Sequence, residues 1–478
     1  MLLALALVSS AAADTEPDPS ALYQEHCASC HGAERYGGYA PPLYSEALAR
    51  KKDDALLRGI LEGLPNTQMP AFGDRMDEAA AKGLVEFARR PLPEVAWGVD
   101  AIAASRVEED PGADRISPSI RRDALILVVE RATGSISVLD GDRLSELDRF
   151  SVGRIHGGPK FDRDLHRVYA VTRDGTVVEY DIDRLALRTR VKVGVNTRNI
   201  AVSPDGAFVA AANQLPRSLV IMDAQLRPIR SIPLTAQPSG VYFVPGQQHF
   251  ILGFRDESKL LIVSLPDLGL RWLELPEPFE DFILVPGRNQ IVASSRKGKR
   301  LILYDLASER ILGTLPTNGL PHLFSACFFG EDGARRAAFN HIGVPRLSIV
   351  DMESFEILRE IPLKGSGYFV RTHTATPFLW VDSNTEEIEL VEKSTLRLLE
   401  RTLHPAPGKK AMHVEFTAEG DKALVSVWHA DGAVVAYDST TLAEVARLPY
   451  AMPVGKYNAR NRTRDFRRPK AGIESPSE

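Results

Sequence analysis

Cys27 and Cys30 are separated by two residues, and His31 follows at once in Cys27-Ala28-Ser29-Cys30-His31. Two thiols at this spacing can form thioethers with the vinyl groups of a haem, while the adjacent imidazole supplies an axial nitrogen to its iron. The chemistry implied is c-type haem attachment and electron transfer. A C-x-x-C zinc or redox site is the other reading, and it lacks a second Cys/His pair nearby. A second axial ligand is expected downstream, and Met69 in Gln68-Met69-Pro70-Ala71-Phe72-Gly73 is the candidate. A thioether ligand raises the haem potential and fills the sixth position, which suits electron transfer rather than substrate binding. Met76 is a rival, but Asp74-Arg75-Met76-Asp77 is polar and has no such loop pattern.

These residues need a small helical module to hold them. The Met-Pro-x-Phe string resembles the ligand loop of class I cytochromes c. After it, Glu78 to Arg89 reads as a closing helix, with Asp77 as N-cap and Leu84, Val85 and Phe87 packing inward. Pro91-Leu92-Pro93 ends it. An all-α cytochrome c domain is therefore expected over 14–93, followed by a connector over 94–121.

The 478 residues leave room for one large further domain. A net charge of −5 gives no nucleic-acid signal. The third cysteine, Cys327, lies in the apolar run Ser325-Ala326-Cys327-Phe328-Phe329 and reads as a free thiol in a buried strand. Met1 to Ser10 is a short apolar run, and Ala11-Ala12-Ala13 precedes Asp14 as a small-residue cleavage site. A signal peptide over 1–13 is expected, although the basic n-region is missing. The run is too short to span a bilayer. Bacterial haem c is attached outside the cytoplasm, so the protein is expected to be periplasmic.

From Asp123 onward the pattern changes to short β-branched strands, and a repeat appears. A strand followed by an acidic residue recurs at Asp140, Asp181, Asp223, Asp267, Asp305, Asp351, Glu392 and Asp438, at spacings between 38 and 46 residues. Units of this length with four short strands are propeller blades. Eight of them predict an all-β eight-bladed propeller over 122–461, with a polar tail over 462–478. The acidic residues are read as turn starters, because their side chains can bond nearby backbone N–H groups.

Several strings in these blades resemble the cytochrome cd1 family, whose members join a c-type cytochrome to a propeller that holds haem d1. They are Val152-Gly153-Arg154-Ile155-His156, Val171-Thr172-Arg173-Asp174-Gly175, Gly194-Val195-Asn196-Thr197-Arg198, Tyr368-Phe369-Val370-Arg371-Thr372-His373, Ser426-Val427-Trp428 and the tail motif Gly455-Lys456-Tyr457-Asn458. The resemblance implies His156 as the proximal iron ligand of a d1-type macrocycle. It also implies a cofactor pocket that includes Arg154, Arg173, Arg198, Arg371, Lys410, Trp428 and Lys456, with Lys409 nearby. Haem d1 carries several carboxylates, and buried carboxylates need cationic partners.

Nitrite reductases of this family use two distal histidines. The first is missing here: the matching segment is Pro278-Phe279-Glu280-Asp281-Phe282. The second is kept as His322, either as pocket wall or as iron ligand. His341 and His373 are expected to line the channel. The resemblance is therefore to the branch that finishes haem d1 synthesis, oxidising dihydro-haem d1 by turning a propionate into an acrylate. That reaction needs a base and an electron acceptor. His413 in Lys410-Ala411-Met412-His413-Val414 is the candidate base, since imidazole exchanges protons near neutral pH. Tyr457 is the candidate to orient it or the substrate. Haem c, ligated by His31 and Met69, would take the electrons. Expected partners are dihydro-haem d1, a nitrite reductase that receives the product, and a periplasmic electron acceptor. A nitrite reductase with altered distal chemistry and a non-catalytic haem d1 carrier are the alternatives.

Overall fold

The computed structural model describes residues 18–38, 40–64, 69–110, 112–155, 157–295, 297–330 and 335–463. The expected signal peptide, His156 and the tail beyond 463 lie outside the described residues. The chain forms two compact units, Met1–Val95 and Ala96–Glu478.

The first unit is helical. Helix Pro19–His26 starts with Asp18, whose carboxylate accepts from Ser20 N at 3.1 Å, and with Pro19 in the first turn. The motif helix Ala28–His31 follows directly. The closing helix Glu78–Arg89 is capped by Asp77, which accepts from Ala80 N at 2.8 Å. Its buried Ala81, Leu84, Val85 and Ala88 recur every three or four residues, the spacing of one helix face. Ala81 and Leu84 pack with Tyr23, Phe72 and Met76 in a small core, with Phe87 partly buried at its edge. The Arg35 guanidinium caps the far end of this helix, donating to Phe87 O at 2.7 Å and Arg90 O at 2.9 Å.

The second unit is an eight-bladed propeller: the described residues form eight antiparallel sheets of four or five strands. In each, the second and third strands are apolar on both faces, as in Leu125–Glu130 and Ser135–Asp140, which are buried throughout. One sheet cannot cover both its faces, so neighbouring blades share cores. Leu125, Leu127 and Val138 of one blade pack with Phe161, Val168 and Tyr180 of the next. The outermost strands are wetter, as in Ser145–Ser151.

The acidic repeat marks the third strand of each blade rather than the last; a fourth strand always follows. The acidic residues do start turns. Asp140 accepts from Asp142 N and Arg143 N, Asp351 from Glu353 N and Ser354 N, and Asp438 from Thr440 N and Thr441 N.

The expected connector is not free chain from Ala96 on. Helix Val99–Ala104 buries Ile102 against Tyr169, Val171 and Val220. Val107–Glu108 pairs with strand Ala186–Lys192 as a fifth strand, and Trp97 Nε1 donates to Lys192 O at 2.8 Å. The physical reason is an outer edge whose backbone groups would otherwise stay unpaired.

The ring closes through the tail motif. Strand Pro453–Asn458 pairs with Leu125–Glu130, setting Tyr457 opposite Leu127 and Lys456 opposite Val128. Ile126, Val128 and Leu139 then pack on Leu424, Val434 and Ala436 of the last blade. Asn458 is fully buried and its amide donates to the carbonyls of Asp123, Ala124 and Leu125 at 3.2–3.3 Å. Among the described residues, no helix is long and apolar enough to cross a membrane. Asn458→Ala strands buried carbonyls at the seam, so it is expected to cost about 1–3 kcal/mol. Thermal melting of the propeller checks this; an unchanged midpoint would mean that the seam does not limit stability.

Candidate functional site

The helical unit brings Cys27, Cys30 and His31 together on one short helix turn. Both thiols are free, Cys27 half-buried and Cys30 exposed. His31 is buried, and its Nδ1 lies 2.7 Å from Pro41 O. A carbonyl can only accept, so Nδ1 carries the proton and Nε2 keeps its lone pair for a metal. Met69 is half-buried in the loop before the closing helix. Gly63, at φ +76°, lets that loop close: a Cβ there would meet Ala71 N at 2.9 Å and Met69 O at 3.1 Å. Met76 packs in the core beside Tyr23, Phe72, Ala81 and Leu84. The free thiols and the oriented imidazole fit a covalent haem.

In the propeller, Arg173 lies two residues past strand Arg167–Val171, the second of its blade. Burial pulls its pKa down to about 10, and the charges of Arg198, Arg131, Arg255 and Arg154 act in the same direction. Arg198 Nε donates to Ser239 O at 2.9 Å. In a later blade the Lys410 ammonium lies 5.1 Å from the Trp428 ring centre. Among the described residues, Lys410 Nζ, Trp428 Nε1 and Arg371 Nε are buried donors with no hydrogen-bond partner. Buried donors left unmade are costly, so these groups fit an anionic ligand with several acceptor oxygens.

His322 Nδ1 lies 2.7 Å from Tyr368 O and from Ser325 Oγ, which again leaves Nε2 as the open nitrogen. The segment that lacks the first distal histidine contributes Asp281. Its carboxylate accepts from Phe324 N at 3.3 Å, and burial raises its pKa against the opposing charges of His322 and Arg198.

His413 sits on strand Lys410–Phe416 at a bulge: Met412 pairs with Ser426 and Val414 with Val425, leaving His413 unpaired. Its φ is +46°, a left-handed conformation unusual for a side chain of this size. The bulge re-aims the imidazole. The ring lies 4.7 Å from Phe369 and 5.6 Å from Tyr457, centre to centre. Asp382 accepts the His413 N–H at 3.2 Å. Burial holds the imidazole pKa well below its usual value, and the charges of Lys456, Arg371 and Arg462 push the same way. The ring is therefore a neutral base at physiological pH.

Residues 120–462, more than half of the chain, match the cytochrome D1 heme domain. The chain belongs to that family. Residues 14–87 match the family described as cytochrome C oxidase, cbb3-type, subunit III. The chain is 38% identical over 480 residues to the "Dihydro-heme d1 dehydrogenase" of Pseudomonas aeruginosa, covering 96% of this chain and 97% of that one. It is 20% identical over 554 residues to the "Nitrite reductase" of Stutzerimonas stutzeri, covering 97% of each. The solved structure "Dihydro-heme d1 dehydrogenase NirN in complex with DHE" superposes with a TM-score of 0.80 at 37% identity, covering 93% of this chain and all of that one.

Some expected site residues of this cytochrome D1 heme domain protein sit elsewhere. Lys456 is fully buried, and its ammonium donates to His413 O and Ser426 Oγ. It braces the bulge, because the closing strand runs directly beside His413. Lys409 is drawn outward to Asp431, 3.1 Å away. Arg371 lies on a cavity wall with Glu415, Asn461 and Arg462. His341 lies inside its blade rather than on the channel. Its Nε2 is 2.8 Å from Ser348 Oγ, and burial lowers its pKa to about 4. His373 lines the cavity.

Sequence reasoning missed Arg131, Arg255, Asp382, Glu415 and Arg462. Arg131 and Arg255 had a readable signal, since each follows the second strand of its blade, as Arg173 does.

A base with a lowered folded-state pKa is costly to keep charged. For Arg173 the cost is fully present below about 10 and vanishes only above its unfolded value. At neutral pH, Arg173→Met is therefore expected to raise the melting point of the ligand-free protein by roughly 1–3 °C. The same change should weaken binding of a polycarboxylate macrocycle at least about tenfold. Calorimetry with and without ligand checks both signs; a lower ligand-free melting point would refute the electrostatic account.

Proposed function

We propose that this protein oxidises dihydro-haem d1 to haem d1, converting one propionate to an acrylate, and that the electrons pass to its covalent haem c. The observation that carries the reading is His413: a buried, neutral imidazole on a strained bulge, beside Tyr457 and within reach of the charges of Lys456, Arg371 and Arg462. The printed name of the 38%-identical relative supports the same substrate.

Forming the acrylate removes two hydrogens from adjacent carbons as two protons and two electrons. In this reading His413 accepts a proton from the side chain, which its depressed pKa leaves it free to do. Tyr457 orients the imidazole or the substrate. Arg154, Arg173, Arg198, Arg371, Lys410 and Trp428 hold the carboxylates and the macrocycle rim. His156 is the proximal iron ligand by family resemblance, and the open Nε2 of His322 makes it the candidate on the second face. Cys27 and Cys30 would attach haem c, and His31 and Met69 would ligate it. It would take one electron at a time. The two electrons therefore leave in succession, the first passing on to a periplasmic acceptor before the second arrives, and the second proton goes to water.

The missing first distal histidine argues against nitrite reduction. A periplasmic location fits haem c attachment outside the cytoplasm. A nitrite reductase as recipient of the product and a periplasmic electron acceptor complete the reading.

The test is an anaerobic absorption time course of the haem c protein with dihydro-haem d1. The macrocycle band should shift to that of haem d1 while haem c becomes reduced. Binding without conversion would favour a carrier instead. His413→Ala is expected to keep the haem c spectrum and lose turnover by about 10²–10⁴-fold. Because the imidazole is held neutral, turnover should not fall as pH drops through 6.5. A wild-type profile that halves near 6.5 and flattens in His413→Ala would contradict the buried-base assignment.

A further inference from the structure

The last described helix, Ala459–Thr463, begins two residues after Tyr457 and returns Arg462 to the Tyr457 ring. The guanidinium carbon lies 4.8 Å from the ring centre. Arg462 Nη2 donates to Glu415, whose side chain is 4% exposed. Glu415 in turn accepts from Phe416 N at 3.0 Å and from Asn461 Nδ2 at 3.4 Å. It follows His413 by two residues on the same strand. The Tyr457 ring also rests against Gly158, where any Cβ would collide with ring carbons. A cavity of about 320 Å³ opens beside Glu415 and Arg462. An arginine released from Glu415 could swing into it and leave the ring.

We propose that Arg462, held by Glu415, is a positioning residue for Tyr457, keeping its ring in place beside His413. A cation against an aromatic face is attractive by about 0.5–2 kcal/mol, more when desolvated. The carboxylate fixes the direction from which that cation acts. Arg462 lies in the stretch expected to be a polar tail, and it is instead part of the wall behind the tyrosine. The proposal rests on the reading of His413 as the base and Tyr457 as the residue that orients it or the substrate.

The test compares Arg462→Leu, Arg462→Lys and Glu415→Gln, each in the natural and the Tyr457→Phe background of the full haem c protein. Anaerobic turnover of dihydro-haem d1 and its binding titration are both read. If Arg462 acts through Tyr457, Arg462→Leu lowers kcat about tenfold or more with little change in KM, as misplacing a reacting group does. It should then add no further loss in Tyr457→Phe. Arg462→Lys restores part of the rate, and Glu415→Gln reproduces the loss even if Arg462→Leu folds poorly. Equal fold-losses in both backgrounds, or no loss in the natural one, overturn the proposal while leaving the roles of His413 and Tyr457 intact. Natural turnover in Tyr457→Phe overturns both.

Discussion

A closed propeller needs one strand pair made from the two ends of its domain, and here that pair also assembles the site. Strand Pro453–Asn458 completes the sheet begun by Leu125–Glu130. The same strand carries Lys456, which bonds the His413 carbonyl, and Tyr457, whose ring faces the His413 ring. The seam therefore cannot open without taking the tyrosine away from the histidine. Stability and chemistry are coupled through six residues.

The second constraint is electrostatic. The charges of four arginines bear on Arg173, while among the described residues donors of Arg371, Lys410 and Trp428 have no protein acceptor. A fold gains nothing by collecting buried cations unless something else neutralises them. A rigid polycarboxylate does so at several points at once. Specificity then follows from geometry: a ligand with fewer carboxylates leaves some of these groups unpaired.

Much of this was legible in the sequence because local chemistry or repetition encoded it. The C-x-x-C-H run is local. The closing helix shows in its cap and its apolar spacing. The eight blades show in acidic turn residues that recur whatever lies between them. What was not legible depends on contacts between distant segments. Nothing local marks His413 as a bulge residue, since the bulge exists only relative to the register with Lys422–Trp428. Lys456 reads as a ligand cation until the closing strand is seen beside His413. The connector reads as free chain because the edge it covers belongs to Ala186–Lys192, far along the sequence. Arg131 and Arg255 were within reach, had the repeat been used to compare equivalent strand ends rather than only to count blades.

The strain at His413 is best understood from the groups that hold it. A left-handed backbone for a non-glycine residue costs on the order of 1–3 kcal/mol, and it persists only where the surroundings over-determine it. Here Asp382 accepts its N–H, Lys456 N points at its Nδ1 from 3.4 Å, and the Lys456 ammonium bonds its carbonyl. Three contacts from two other segments fix its backbone N–H, its carbonyl and its Nδ1. A regular strand would place this side chain with its neighbours' alternation and pair its backbone with the next strand. The bulge gives up that pairing, and the imidazole gains an orientation that the pleat does not supply. Because the ring is already desolvated and nearby positive charges oppose its protonation, its neutral form is set before any ligand arrives.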